Sequence, residues 1–193
     1  IVDGTLEIAK RTVTLTSADG EKVYDGTALT KNAQTDVTVG GDGFANGEGA
    51  TYDITGTQTT VGSSANAFTY TLNEGTKAGN YEITTTEGTL KVTALTDKVT
   101  VTITEKSGSE KYDGTEHKVT GYDVTSISNS LYTTADFTFK GDATVKGTDA
   151  GTYKMELKPE DFTNTNENFT NVEFVIVDGT LEIAKRTVTL TSA

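Results

Sequence analysis

With 28 Asp and Glu against 16 Lys and Arg over 193 residues, the chain carries a formal charge of −12; having no cluster of basic residues, it excludes recognition of nucleic acid or an anionic membrane through a basic patch. It has no Cys, which excludes disulfides and thiolate metal sites. A hydrophobic fraction of 34%, with 20 Gly, one Pro and abundant Thr, favours strands and turns and suits two small cores better than one large one.

The chain opens with IVDGTLEIAKRTVTLTSA, and the same letters return from Ile176 to Ala193. Unbroken identity across surface Thr, Lys and Glu marks a recent duplication with a period of 175 residues (Ile1 to Ile176). The expectation is one complete repeat unit and the start of the next, within a longer tandem array. No apolar run approaches the roughly 20 residues of a membrane span, and the start lacks the basic-then-apolar order of an export signal. Any such signal is expected outside this stretch.

Taken in chain order, Thr12–Thr16 alternates strictly, with one apolar and one Thr-rich face, and predicts a half-buried strand. Tyr24-Asp25-Gly26-Thr27 follows as a turn. A glycine-rich loop, Gly40 to Gly49, precedes predicted strands at Phe68–Leu72 and Asn80–Ile83. Lys98–Ile103 alternates again, Tyr112-Asp113-Gly114-Thr115 repeats the turn, and strands are predicted at Phe137–Phe139, Tyr153–Leu157 and Val172–Ile176. Asp-Gly, Asn-Gly, Glu-Gly and Gly-Gly pairs punctuate them, as tight turns with positive φ require. No stretch has a period of 3.6 with helix formers, so a helix-bearing β-grasp is set aside.

The two Tyr-Asp-Gly-Thr turns lie 88 positions apart, and Gly88-Thr89-Leu90 recurs as Gly179-Thr180-Leu181. The reading also aligns Phe68–Leu72 with Tyr153–Leu157 and gives two homologous domains at residues 10–94 and 95–184. Apolar phase flips at each joint: Leu6 and Ile8 are even, Val13 and Leu15 odd; Leu90 and Val92 even, Val99, Val101 and Ile103 odd; Leu181 and Ile183 odd, Val188 and Leu190 even. A one-residue shift turns side chains to the opposite face, so each joint should separate two cores through a link of about two to four residues. Residues 1–9 then read as the closing strand of a preceding repeat, and residues 185–193 as the opening strand of a following one.

The turn motif after the first strand, the stretch Ala78-Gly79-Asn80-Tyr81 and the closing Glu87-Gly88-Thr89-Leu90-Lys91-Val92 together resemble bacterial Ig-like repeat domains of the MBG and YDG type. The second domain departs from the pattern with Asn168-Phe169 and an Asn/Thr-rich insert, Asp161 to Asn171. The resemblance implies two tandem Ig-like β-sandwich domains in an all-β chain, elongated end to end. It also implies a place in a non-enzymatic stalk or spacer of a cell-surface adhesin, extracellular or attached to the cell wall. The alternative is a binding module that recognises host glycan or protein through its loops.

Tyr24, Asp25, Gly26 and Thr27, with Tyr112, Asp113, Gly114 and Thr115, are read as a fold-defining turn rather than a ligand site, because the motif recurs in both diverged halves. Asp42, Asn46 and Glu48 are weak calcium candidates: oxygen ligands on a flexible backbone, without the alternating acids of a calcium loop. Phe44 in that loop is the candidate exposed contact. His117 is the only His, and no nucleophile elbow or metal-binding helix motif accompanies it, so no catalytic residue and no cofactor is expected. An isopeptide bond, for which Lys91 and Lys154 and the possible partners Asn80 and Asn168 are available, is set aside because those Lys alternate outward. The chain is expected to be mainly monomeric in dilute solution, with pairing of end strands between molecules at high concentration. A host partner, if any, would be met by the whole parent protein.

Overall fold

The computed structural model describes residues 3–192. The chain is all-β, and its helical content among the described residues is limited to three-residue 3-10 turns. It divides between residues 95 and 96 into two compact units.

The first unit contains β1 (Arg11–Ser17), β2 (Gly20–Val23), β3 (Val37–Gly41), β4 (Ala50–Ile54), β5 (Gly62–Ala65), β6 (Phe68–Leu72), β7 (Tyr81–Thr86) and β8 (Thr89–Thr93). They pair as β3-β1-β7, β2-β8-β5 and β4-β6. The second contains β9 (Val99–Glu105), β10 (Gly108–Lys111), β11 (His117–Thr120), β12 (Tyr122–Ile127), β13 (Phe137–Phe139), β14 (Thr144–Gly147), β15 (Gly151–Lys154), β16 (Phe162–Asn164), β17 (Val172–Val177) and β18 (Thr180–Ala184). Here the order is β12-β9-β17, β10-β18-β15, β13-β16 and β11-β14. The topologies coincide strand for strand, except that the β11-β14 ladder is reduced in the first unit to a single bridge between Leu29 and Gln58.

The pairing corrects one alignment. Tyr153 lies in β15, which runs antiparallel to β18, as β5 does to β8. The counterpart of Phe68–Leu72 is therefore Phe162–Asn164, since β6 pairs with β4 and β16 with β13. The predicted strand Tyr153–Leu157 also stops at Lys154. Glu156 has φ of 61°, in the left-handed region that a ladder residue does not adopt.

The first and last strands of each unit form one continuous parallel pair. Arg11 stands opposite Tyr81 and Val23 opposite Thr93, a separation of 70 residues held from β1–β7 through to β2–β8. In the second unit Val99 faces Val172 and Lys111 faces Ala184, with 73 residues throughout. Both members of the pair leave one sheet and enter another at the same level. Close approach there requires a residue without Cβ: one added at Gly88 would lie 2.5 Å from the Ser17 carbonyl oxygen, and one at Gly179 2.5 Å from that of Lys106.

Alternation buries Val13 and Leu15 of β1 and Val99, Val101 and Ile103 of β9, and likewise Leu90 and Val92 of β8 and Leu181 and Ile183 of β18. The opposite phases on either side of residue 95 thus serve separate cores. The link between β8 and β9 is five residues, 94–98, slightly longer than the spacing predicts. Residues 3–10 and 185–192 lie outside any strand, with Leu6 88%, Ile8 84%, Val188 78% and Leu190 91% exposed.

Candidate functional site

The best-defined polar geometry lies at the strand crossing. In the first unit the Ser17 hydroxyl donates to the Asn66 carbonyl (2.6 Å) and accepts from the Gly88 N–H (2.9 Å). Asn66 is fully buried; its amide donates to the Ala18 and Lys31 carbonyls (3.0 and 3.2 Å), while Oδ1 has no partner. In the second unit Glu105 takes the place of Ser17. It is 3% exposed, and its two carboxylate oxygens accept separately from the Leu157 N–H (2.6 Å) and the Gly179 N–H (2.8 Å). Backbone donors freed by the change of sheet must find acceptors inside the protein, and these side chains provide them. Glu105 and Ser17 both occur in the inward phase of an alternating strand, a signal the sequence reading left unused.

Each Tyr-Asp-Gly-Thr turn is closed by its Asp. Asp25 Oδ1 accepts from the Thr27 N–H (2.9 Å), the Thr27 hydroxyl (2.8 Å) and Lys22 Nζ (2.6 Å), while Gly26 has φ of 78°. These bonds, that from Lys22 foremost, hold the Asp25 carboxyl well below the usual range. Asp113 accepts from the Thr115 hydroxyl (2.7 Å) and N–H (2.8 Å), Gly114 has φ of 84°, and His117 Nε2 lies 3.0 Å away. The Thr115 bonds, with His117, lower the Asp113 pKa to about 2. Tyr24 and Tyr112 continue the pairing, their N–H groups donating to Thr93 and Ala184 carbonyls (2.8 and 3.0 Å). The motif therefore seals the far end of the parallel pair.

In the glycine-rich loop, Asp42 Oδ2 accepts from the Thr12 N–H (2.9 Å) and hydroxyl (3.0 Å), which lowers its pKa. Glu48 accepts from the Tyr81 hydroxyl, whose pKa this raises. Asn46 is exposed between them. Asp42 and Glu48 are thus turned to different partners, and among the described residues no group of three or more His, Asp or Glu is placed to hold a metal. Phe44, expected as an exposed contact, is half-buried. It packs on the Val13, Leu15, Val37 and Tyr81 core with its ring 5.2 Å from Tyr81 in edge-to-face geometry, because the glycines around it let the loop fold inward.

The Asn-rich insert, which carried no assignment from its composition, is a self-closed polar loop. Asn166 Nδ2 donates to Asp136 Oδ1 (2.7 Å), Asn164 Nδ2 to the Phe169 carbonyl (2.9 Å), and the Asn168 N–H to Asn166 Oδ1 (3.0 Å), over a buried Phe169. Lys91 pairs with Glu21 at 3.0 Å and Lys154 with Asp178 at 3.9 Å, on the outer faces.

Residues 99–189 match the family model of the MBG domain. The match is consistent with an MBG-type repeat domain over the second unit. The match begins at β9 and takes in β18, so it includes both members of the parallel pair and both ties at the Glu105 crossing. The first unit resembles the second in strand order, crossing glycine and Asp-closed turn. Comparison with curated proteins and with solved structures gave no match. Among the described residues no helix is long and apolar enough to cross a membrane.

Proposed function

We propose that the chain is a non-enzymatic, force-carrying repeat segment of a bacterial cell-surface adhesin, built of tandem Ig-like sandwich domains that space a binding region away from the cell wall. The observation that carries this reading is the unbroken register between the first and last strands of each unit. Arg11 to Val23 at roughly 3.3 Å per residue is a pair about 40 Å long, which the chain enters at the Arg11 end and leaves at the Thr93 end. Tension applied through those ends runs along the strands and loads all the ladder hydrogen bonds together, where a peeling geometry would break them one at a time. Forced unfolding is governed by the unfolding rate, so this arrangement resists pull beyond what its equilibrium stability alone would give. The identity of residues 1–18 with residues 176–193, at an offset of 175, and the MBG match support an array of such units.

Single-molecule pulling tests the proposal. With handles at Thr12→Cys and Thr93→Cys, the first unit should give one high-force event that lengthens the chain by about 240 Å, the contour of 81 residues at up to 3.3–3.6 Å each less the roughly 40 Å already spanned. With handles at Thr12→Cys and Glu82→Cys, at the same end of the pair, the event should fall to a much lower force. Equal forces in the two geometries would remove the mechanical basis. Saturable binding of the purified chain to a glycan or mucin array would instead favour the loop-binding module.

A further inference from the structure

Asn46 is the one Asn of ten that a Gly follows. Asn46 and Gly47 are both exposed, at the tip of a turn closed by the Glu48 N–H donating to the Ala45 carbonyl (2.9 Å). Gly47 has φ of 81°, and a Cβ added there would meet nothing within 4 Å. Among the described residues neither the Asn46 side chain nor the Gly47 N–H has a hydrogen-bond partner. The stems on either side are pinned. Arg11 Nε donates to the Gly43 carbonyl (2.9 Å), the Ala45 N–H to the Tyr81 hydroxyl (3.0 Å), that hydroxyl to Glu48, and the Gly49 N–H to the Thr76 hydroxyl (3.0 Å). An open dipeptide thus stands between two held flanks.

We infer that Asn46-Gly47 is a self-modification site, at which the chain converts an amide into an isoaspartyl link and so loosens its own clamp on Tyr81. The Gly47 backbone nitrogen gives up its proton to solvent base and attacks Asn46 Cγ. That C–N bond forms as the Cγ–Nδ2 bond breaks and ammonia leaves, which closes a five-membered succinimide. Water then opens one imide carbonyl or the other, to Asp or to isoAsp. The attack requires the Asn46–Gly47 peptide to turn until its nitrogen faces Cγ. A following residue without Cβ leaves that path clear, and a tip held by one turn bond opens at little cost. Elsewhere the same chemistry is hindered. Asn66 is buried with its amide donating to two carbonyls, the remaining Asn precede residues with side chains, and Asp25, Asp42 and Asp113, each before a Gly, are held by Thr donors. IsoAsp carries the main chain through its Cβ and so lengthens it by one atom. Pinned flanks cannot absorb that atom within a four-residue turn, so the Ala45 N–H and the Glu48 carboxylate no longer meet the Tyr81 hydroxyl together.

Ageing of the full chain in warm, mildly alkaline buffer tests this. The folded chain should accumulate an acidic species with isoAsp at position 46, read by peptide mapping and by methyl labelling with an isoaspartyl methyltransferase, at a rate within about tenfold of the same chain in denaturant. Asn46→Gln, which could cyclise only through a slower six-membered imide, should gain no acidic species or isoAsp at that position. In calorimetry the aged chain should show a lower first-unit transition and an unchanged second one. Freshly purified Asn46→Asp adds the charge without the extra atom and should match the unaged chain. In a Tyr81→Phe background, where the clamp is already gone, ageing should leave the first transition in place. An amide that survives in the folded chain while the denatured control converts, or an acidic species that forms equally in Asn46→Gln, overturns the site. A first transition unmoved by ageing, or as low in Asn46→Asp as in the aged chain, overturns the loosening of the clamp.

Discussion

Where the paired strands change sheet, the first unit ties the crossing with Ser17 and a buried Asn66, and the second ties it with the single carboxylate of Glu105. Around these ties the cores also differ. Among the described residues the buried apolar side chains of the first unit are Val13, Leu15, Val37, Tyr81, Leu90 and Val92, with Tyr52, Ile54 and Phe68 only half-buried. The second adds a continuous aromatic cluster, in which Phe162 lies 5.2 Å from Tyr122, 5.4 Å from Phe174 and 6.0 Å from Phe137. One strand order is thus kept by two chemistries, which shows that the topology is fixed by pairing register and crossing glycine more than by the identity of the packing residues. The second unit should be the more stable, giving the upper of two transitions in calorimetry.

The largest blow to that ranking should come from Phe162→Ala. Removing the centre of the aromatic cluster should destabilise the second unit by about 3–5 kcal/mol and bring its transition down to or below that of the first. Phe68→Ala, at the half-buried counterpart, should cost less. Two transitions that move equally would show that the units do not unfold separately.

Next in size, Glu105→Ala leaves two buried N–H groups without acceptors, at about 1–3 kcal/mol each; Ser17→Ala leaves one N–H, that of Gly88, without an acceptor and the Asn66 carbonyl without that donor. Because an unpaired N–H is less well tolerated than a carbonyl, the second-unit variant should lose more in denaturant unfolding, and a greater loss at Ser17 would reverse the comparison of the two ties.

Glu156→Gly should go the other way. A non-glycine residue in the left-handed region costs about 1–2 kcal/mol, partly offset by the backbone freedom Gly adds to the unfolded chain. A gain of up to about 1 kcal/mol in the second unit alone is expected, read as a rise in the upper transition.

The smallest effect concerns acid. Asp113 titrates near 2 in the folded protein, below its ordinary value of 3.8. Its contribution is therefore present above about pH 4 and is lost as pH falls from about 4 towards 2. Asp25, whose pKa is also lowered, acts in the same direction in the first unit. Asp113→Asn should flatten the acid dependence of the upper transition only, measured from pH 5 to 2. A slope unchanged by that substitution would show that the turn carboxylate is not coupled to the unfolding of its unit.

Strict alternation made β1, β6, β9 and β13 legible in the sequence, because Val, Ile, Leu and Phe repeat there at the spacing of one strand face. The Gly/Ser-rich β5 and the Gly-ended β3 carried no such pattern, being defined by their neighbours rather than by their own side chains. Phe44 was misplaced because its loop's composition speaks of solvent, whereas the free space beside Tyr81 is set by residues more than thirty positions away. The turn motif was readable down to its Asp and Gly, since an Asp side chain accepting from the backbone two residues on is a local event. The tie by Glu105 was hidden by habit: a carboxylate at the end of Val99-Val101-Ile103 keeps the inward phase, and phase rather than polarity decided its burial.

The constant separation of first and last strands has an evolutionary consequence. Every loop of variable length, from the glycine-rich stretch before β4 to the Asn-rich insert before β17, falls between the two halves of the parallel pair, so insertions there change the count from 70 to 73 without moving one partner past the other. Loops between the two halves can diversify, copy by copy, while the parallel pair keeps its rungs. A lineage of such repeats can change its face and keep its spine.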